Sequence, residues 1–120
     1  MTMFEKIAKP WGHEVIWAKT PRYMGKILVI NKGHRLSLQY HEKKDESILL
    51  AKGLMELEVE GDGLGPGRQK IVLKPGDSYH IPPRLKHRMT ALEDCEVIEV
   101  STPELDDVVR LEDDYDRAKC

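Results

Sequence analysis

In the run from Leu54 to Glu60, apolar and acidic side chains alternate without interruption from Met55 onward. Successive side chains of a strand point to opposite faces, so this period of two predicts an antiparallel strand with an apolar inner face and an acidic outer one. Shorter β-branched or alternating runs predict further strands over 13–18, 26–31, 34–40, 46–51, 69–73, 78–82, 87–92 and 95–101. Between them lie reversals: Lys32-Gly33, the charged run 42–45, Lys52-Gly53, the glycine-rich 61–67, Pro82-Pro83 and Glu93-Asp94. Lys74-Pro75-Gly76-Asp77 reads as a type II turn, with proline and glycine at its two central positions. Roughly eight to ten short strands and no long helix exclude a helical bundle and predict an all-β antiparallel double sheet or barrel. The first dozen residues read as an arm with a rigid corner at Pro10-Trp11-Gly12, and Trp11 and Trp17 are expected in the core or at a dimer contact. The acidic end, 102–117, reads as a solvated tail in which Thr102-Pro103 could start a single helical turn.

Composition narrows the class of function. With 120 residues, 40% hydrophobic and 33% charged, the chain is expected to form one domain over 1–120. Its net charge of -2 and scattered lysines and arginines offer no basic face, so no nucleic-acid partner is expected. No apolar run is long enough to span a bilayer, and Glu5 and Lys6 interrupt any leader-like stretch; a cytoplasmic location without membrane attachment is expected. Cys95 and Cys120 form no C-x-x-C and are expected as reduced thiols. The four glycines of 61–67 lack a following Gly-Lys-Ser/Thr, so they predict a hairpin tip and not a phosphate loop.

The candidate chemistry lies in GHRLSLQYHEKKDESILLAKG, residues 33–53. Gln39 and His41 stand two apart and share one face of a strand, and the charged turn returns Glu46 at the head of the next. A second stretch, with Gly76, Pro82 and His87, supplies a fourth donor. The two stretches resemble the two sequence motifs of the cupin superfamily, with Gln39 where most cupins carry the first histidine. Pro10-Trp11-Gly12, residues 33–41, residues 81–88 and the ending 108–117 narrow the resemblance. Together they are similar to the type II mannose-6-phosphate isomerase cupin domain, commonly fused behind a mannose-1-phosphate guanylyltransferase; no nucleotidyltransferase region is recognised within the 120 residues.

That resemblance implies a cupin double-stranded β-helix, an antiparallel jelly-roll barrel with a short N-terminal arm and an acidic C-terminal tail. It implies one divalent metal held by Gln39, His41, Glu46 and His87, a substrate-site role for Arg110, and a tail laid as a flap over the barrel mouth. Three residues depart from the usual pattern: Arg84 and Asp116 stand at glycine positions and Ala91 at a position often held by asparagine.

Two oxygen and two nitrogen donors suit zinc first, with iron, manganese, cobalt or nickel also compatible. The expected function is a metal-dependent isomerase interconverting mannose 6-phosphate and fructose 6-phosphate, or a closely related sugar phosphate. Lowering an oxygen's pKa from about 15.7 to about 7 corresponds to roughly 12 kcal/mol, against about 3 to 4 from one hydrogen-bond donor, so the metal should dominate. His80 is the candidate base, against the plainer reading of a histidine bonded to backbone. Lys26 and Arg35 could attract a sugar phosphate, against the plainer reading of surface charges. Two other functions share the motifs: a non-catalytic metal-containing cupin binding a sugar or nucleotide-sugar, and a metal-dependent cupin dioxygenase. A homodimer is expected because edge strands need covering.

Overall fold

The computed structural model describes residues 5–61, 65–104 and 106–115. These residues form eleven strands: β1 Glu5–Lys9, β2 Gly12–Lys19, β3 Met24–Ile30, β4 Leu38–Tyr40, β5 Glu46–Lys52, β6 Met55–Glu60, β7 Gln69–Leu73, β8 Ser78–Ile81, β9 Lys86–Ala91, β10 Cys95–Ser101 and β11 Val109–Glu112. Among the described residues no helix is long and apolar enough to cross a membrane. A six-stranded sheet, β1-β2-β3-β10-β5-β8, faces a five-stranded sheet, β11-β4-β9-β6-β7, with every pairing antiparallel. The strict alternation of β6 performs as its pattern requires: Met55, Leu57 and Val59 are fully buried against Leu28, Ile30, Ile48, Leu50 and Val97 of the opposite sheet. This double antiparallel sheet is the all-β architecture that the turn spacing predicts.

Both ends differ from the sequence expectation. The N-terminal arm is itself a strand, β1, in a hairpin with β2, and Trp11 at its corner is buried while Trp17 is 40% exposed. The acidic tail is neither free nor helical among its described residues, because β11 adds to the smaller sheet beside β4. Thr102 is held by reciprocal bonds with Asp45, its N–H to the Asp45 carbonyl and its Oγ1 accepting the Asp45 N–H, both at 3.0 Å. The strand expected over 34–40 shrinks to β4, preceded by a lone bridge between Arg35 and Thr90. Cys120, Asp116, Arg117 and residues 62–64 of the glycine-rich tip lie outside the described residues. Cys95 is a free, buried thiol.

Two backbone positions show why the motif spacings matter. Gly53 has φ 98°, and a Cβ there would stand 2.3 Å from the Asp94 carbonyl oxygen, so only glycine permits this reversal. Arg84 has φ 71°, the conformation expected of the glycine it replaces. The left-handed region costs a non-glycine residue about 1–2 kcal/mol, offset by glycine's larger entropy loss of about 0.5–1 kcal/mol. Its side chain contributes little in return, since the pair with Glu42 is exposed and 3.5 Å long. Arg84→Gly is therefore expected to raise stability by up to about 1 kcal/mol, read as a higher urea midpoint; an unchanged or lower midpoint would count against strain at this residue.

Candidate metal centre

The register of the smaller sheet assembles one half of the site. Arg110 on β11 pairs with Gln39 on β4, Gln39 pairs with His87 on β9, and His87 pairs with the buried Val59 on β6. Residues in such a row share a face, so Arg110, Gln39 and His87 all look into the barrel. The other half comes from the larger sheet, where Glu46 opens β5 in phase with the buried Ile48 and Leu50. His41, just past β4, bridges the two.

One donor atom from each of His41, Glu46 and His87 lies within 4.8 Å of the other two, and all three residues are buried. His41 Nε2 is 3.1 Å from Glu46 Oε1, and His87 Nε2 is 3.8 Å from the same oxygen. His41 Nδ1 lies 2.5 Å from the Asp107 carbonyl oxygen and His87 Nδ1 2.9 Å from that of Leu85. A carbonyl only accepts, so each ring donates from Nδ1, and a neutral ring then carries its lone pair on Nε2. His41 Nε2, His87 Nε2 and Glu46 Oε1 make no hydrogen bond among the described residues. Three buried acceptor atoms aimed at one another without a donor are costly unless a cation lies between them. A divalent ion fits this set: two imidazole nitrogens and a carboxylate oxygen are ordinary ligands, and backbone carbonyls on the far nitrogens fix the ring orientations. Gln39 faces the same cavity, its Oε1 accepting the Ser37 hydroxyl at 2.6 Å, and the amide oxygen keeps a second lone pair.

Burial pushes His87 down to about 4, more than the Leu85 carbonyl raises it, so its ring is neutral and able to ligate at neutral pH. The unfolded chain titrates this ring near 6.5 and so binds more protons between pH 6.5 and 4. The His87 contribution to metal-free stability is complete above about pH 6.5 and is lost as pH falls through about 4, by roughly 3 kcal/mol in all. Urea midpoints of chelator-treated protein should fall across that window more steeply than those of His87→Gln. Parallel profiles would contradict the assignment.

Beside these ligands is a cavity of about 310 Å³ walled largely by charge. Lys26 Nζ lies 3.6 Å from Glu14 Oε1, and Lys44 Nζ 3.0 Å from Glu99 Oε2, both pairs being largely buried. Burial and the neighbouring Glu46 charge push the Glu99 carboxyl up, against the pull of Lys44. Arg110 lines the same cavity, and its buried Nε has no partner among the described residues. Lys26 lines this cavity as well. Glu14, Lys44 and Glu99 were not expected from sequence. The signal for two of them was parity: Glu14 is in phase with Ile16, and Glu99 with Cys95 and Val97, so both put a carboxylate on the inner face of a strand.

Two expected residues lie elsewhere. His80 is on the outer face of β8, exposed, with Nε2 2.6 Å from Asp45 Oδ1, because its neighbours Tyr79 and Ile81 take the inward positions. It cannot serve the cavity as a base. Arg35 is clamped by Asp114, through Nε at 2.6 Å and Nη2 at 2.8 Å, and does not line the cavity. That hydrogen bond raises the guanidinium and holds the Asp114 carboxyl below its usual range. Arg35 is one anchor of the tail; Arg88 is another, donating from Nη1 and Nη2 to the Glu112 carboxylate and carbonyl, each at 3.2 Å.

A family model for the mannose-6-phosphate isomerase C-terminal region matches residues 1–113. The chain belongs to this family. Mannose-1-phosphate guanylyltransferases of Klebsiella pneumoniae and Escherichia coli are each 26% identical, over 117 and 120 residues. Each match covers 93% of this chain but 23% of the relative, so the chain spans under a quarter of their length. Among solved structures, KdgF from Halomonas sp. superposes with TM-score 0.71 at 28% identity, covering 87% of this chain and 90% of that one. An RmlC-like cupin from Shewanella frigidimarina gives TM-score 0.71 at 18% identity, covering 88% and 87%. The family member thus has the cupin jelly roll, with a group of side chains in it that can hold a metal ion.

Proposed function

We propose that this chain is a metal-dependent aldose–ketose isomerase acting on mannose 6-phosphate and fructose 6-phosphate. The observation that carries the proposal is the placement of His41 and Glu46, whose unpartnered ligand atoms group with that of His87, in the same enclosure as Arg110, a half-buried cation whose buried Nε lacks a partner among the described residues. An unpartnered guanidinium N–H in a cavity favours an anionic ligand such as a phosphoryl group. Zinc or another divalent ion held by His41, Glu46, His87 and Gln39 would supply Lewis-acid polarisation of the sugar carbonyl.

The remaining steps belong to the chain. Arg110 holds the phosphate. Glu14 is assigned as the base, because it lines the cavity and, among the described residues, only the 3.6 Å pair to Lys26 holds it, whereas Glu99 is bonded by Lys44. Glu14 takes the proton from C2 of the open-chain aldose and returns it at C1, while the hydroxyl proton passes from O2 to O1. Lys26, 3.6 Å from Glu14 Oε1, holds the carboxylate beside the cavity that both residues line.

A coupled assay for fructose 6-phosphate, with and without chelator, tests the reading. Metal-loaded protein without turnover would reject the isomerase in favour of a non-catalytic sugar or nucleotide-sugar binder; oxygen consumption with diols would favour a dioxygenase. The proposal includes a cytoplasmic homodimer with no nucleic-acid partner. Exposed Trp17, Leu49 and Val100 on the outer face of the larger sheet support the pairing, and sedimentation as a monomer at micromolar concentration would remove it.

A further inference from the structure

We infer that Asp107 is a positioning residue for the metal centre, so that docking of the segment carrying Arg110 and binding of an ion at His41 are coupled; this rests on the metal reading above. Asp107 reaches the site from 66 residues beyond His41 and makes two kinds of contact there. Its carbonyl accepts the His41 Nδ1–H at 2.5 Å, fixing the ring so that Nε2 faces Glu46. Its carboxylate accepts three consecutive backbone N–H groups, those of Glu42 at 3.0 Å, Lys43 at 2.7 Å and Lys44 at 2.9 Å.

Those three residues belong to the connection between two ligands, His41 and Glu46. Consecutive amides converging on a carboxylate form an anion-holding nest, and here the anion is a side chain of the tail. One residue therefore sets the orientation of one ligand and pins the loop leading to the next. Three positions later the same segment places Arg110 beside Gln39, and beyond it Glu112 and Asp114 are clamped by Arg88 and Arg35. An acceptor on Nδ1 also strengthens Nε2 as a donor. Coupling between two equilibria is reciprocal. An ion that fixes His41 must favour the docked segment by the factor by which the docked segment favours the ion.

The test uses zinc alone, titrated against a chromophoric competitor. Asp107→Ala keeps the carbonyl that faces His41 but removes the carboxylate that pins 42–44, and it is expected to weaken zinc binding by about 10-fold, the lower end of the loss seen when support around a ligand is removed, with Asp107→Asn intermediate. Asp77→Ala is the structural control: its carboxylate accepts the Lys74 N–H at 2.8 Å in a distant turn, and its loss should leave zinc affinity within about twofold. In the wild type, zinc should slow amide exchange at 42–44 and 107–110 by about tenfold or more relative to chelated protein; this arm needs no folded variant. Equal zinc affinity in Asp107→Ala, or zinc-independent exchange at 42–44, overturns the coupling while leaving the metal centre standing. A wild type that binds no zinc overturns both.

Discussion

His41→Ala is expected to abolish stoichiometric metal binding and, with it, roughly 15 °C of metal-dependent thermal stabilisation. An ion bound only by the folded chain stabilises it by about 4 kcal/mol when present at 1,000 times its dissociation constant, and a domain near this size gains about 4 °C per kcal/mol. The loss should be near complete, because removing the imidazole leaves Glu46 Oε1, His87 Nε2 and the weakly binding Gln39 amide too few to retain the ion. Calorimetry with zinc and with chelator checks this: the wild type should show the shift and the variant none. A variant that still responds to zinc like the wild type would remove His41 from the ligand set. His41→Ala should also release the Asp107 carbonyl, so the metal-free variant should be modestly less stable than metal-free wild type.

Glu14→Gln is expected to reduce kcat by about 100- to 10,000-fold, the range for loss of a general base, with KM for mannose 6-phosphate and zinc content little changed. The amide has nearly the same shape as the carboxylate, so the cavity keeps its volume while losing an atom able to accept the C2 proton. Exchange of that proton with deuterium from solvent should fall in parallel. If kcat stays within tenfold and only KM rises, Glu14 binds a hydroxyl and the proton moves elsewhere. Glu99 would then be the next carboxylate to examine, since burial already pushes its carboxyl up.

Much of the candidate site could be read from sequence because its geometry is local. Gln39 and His41 are separated by the strand period, and one turn returns Glu46; no knowledge of distant pairing is required for those three to meet. His87 needed the resemblance of a second motif, and the pairing of β4 with β9 places it opposite Gln39. His80 shows the same rule neglected, for Tyr79 and Ile81 on either side of it carry the apolar parity of β8 and so turn it outward. The tail resisted for a different reason. Acidic composition reads as solvated when no partner is in view, and its partners Arg35, Arg68 and Arg88 lie tens of residues away in sequence. The contacts of Asp107 with the 42–44 turn likewise follow from long-range pairing that no periodicity reports. Arg35 offers itself as a phosphate ligand in sequence because a basic residue near a motif looks free until the acidic residue that claims it, Asp114, is placed.

X-ray absorption at the zinc edge of metal-loaded protein is the most direct measurement of the metal centre. The structure predicts a first shell of nitrogen and oxygen at about 2.0–2.2 Å with the outer-shell signature of two imidazoles and no sulfur. A sulfur shell near 2.3 Å, or a first shell without imidazole scattering, would contradict it.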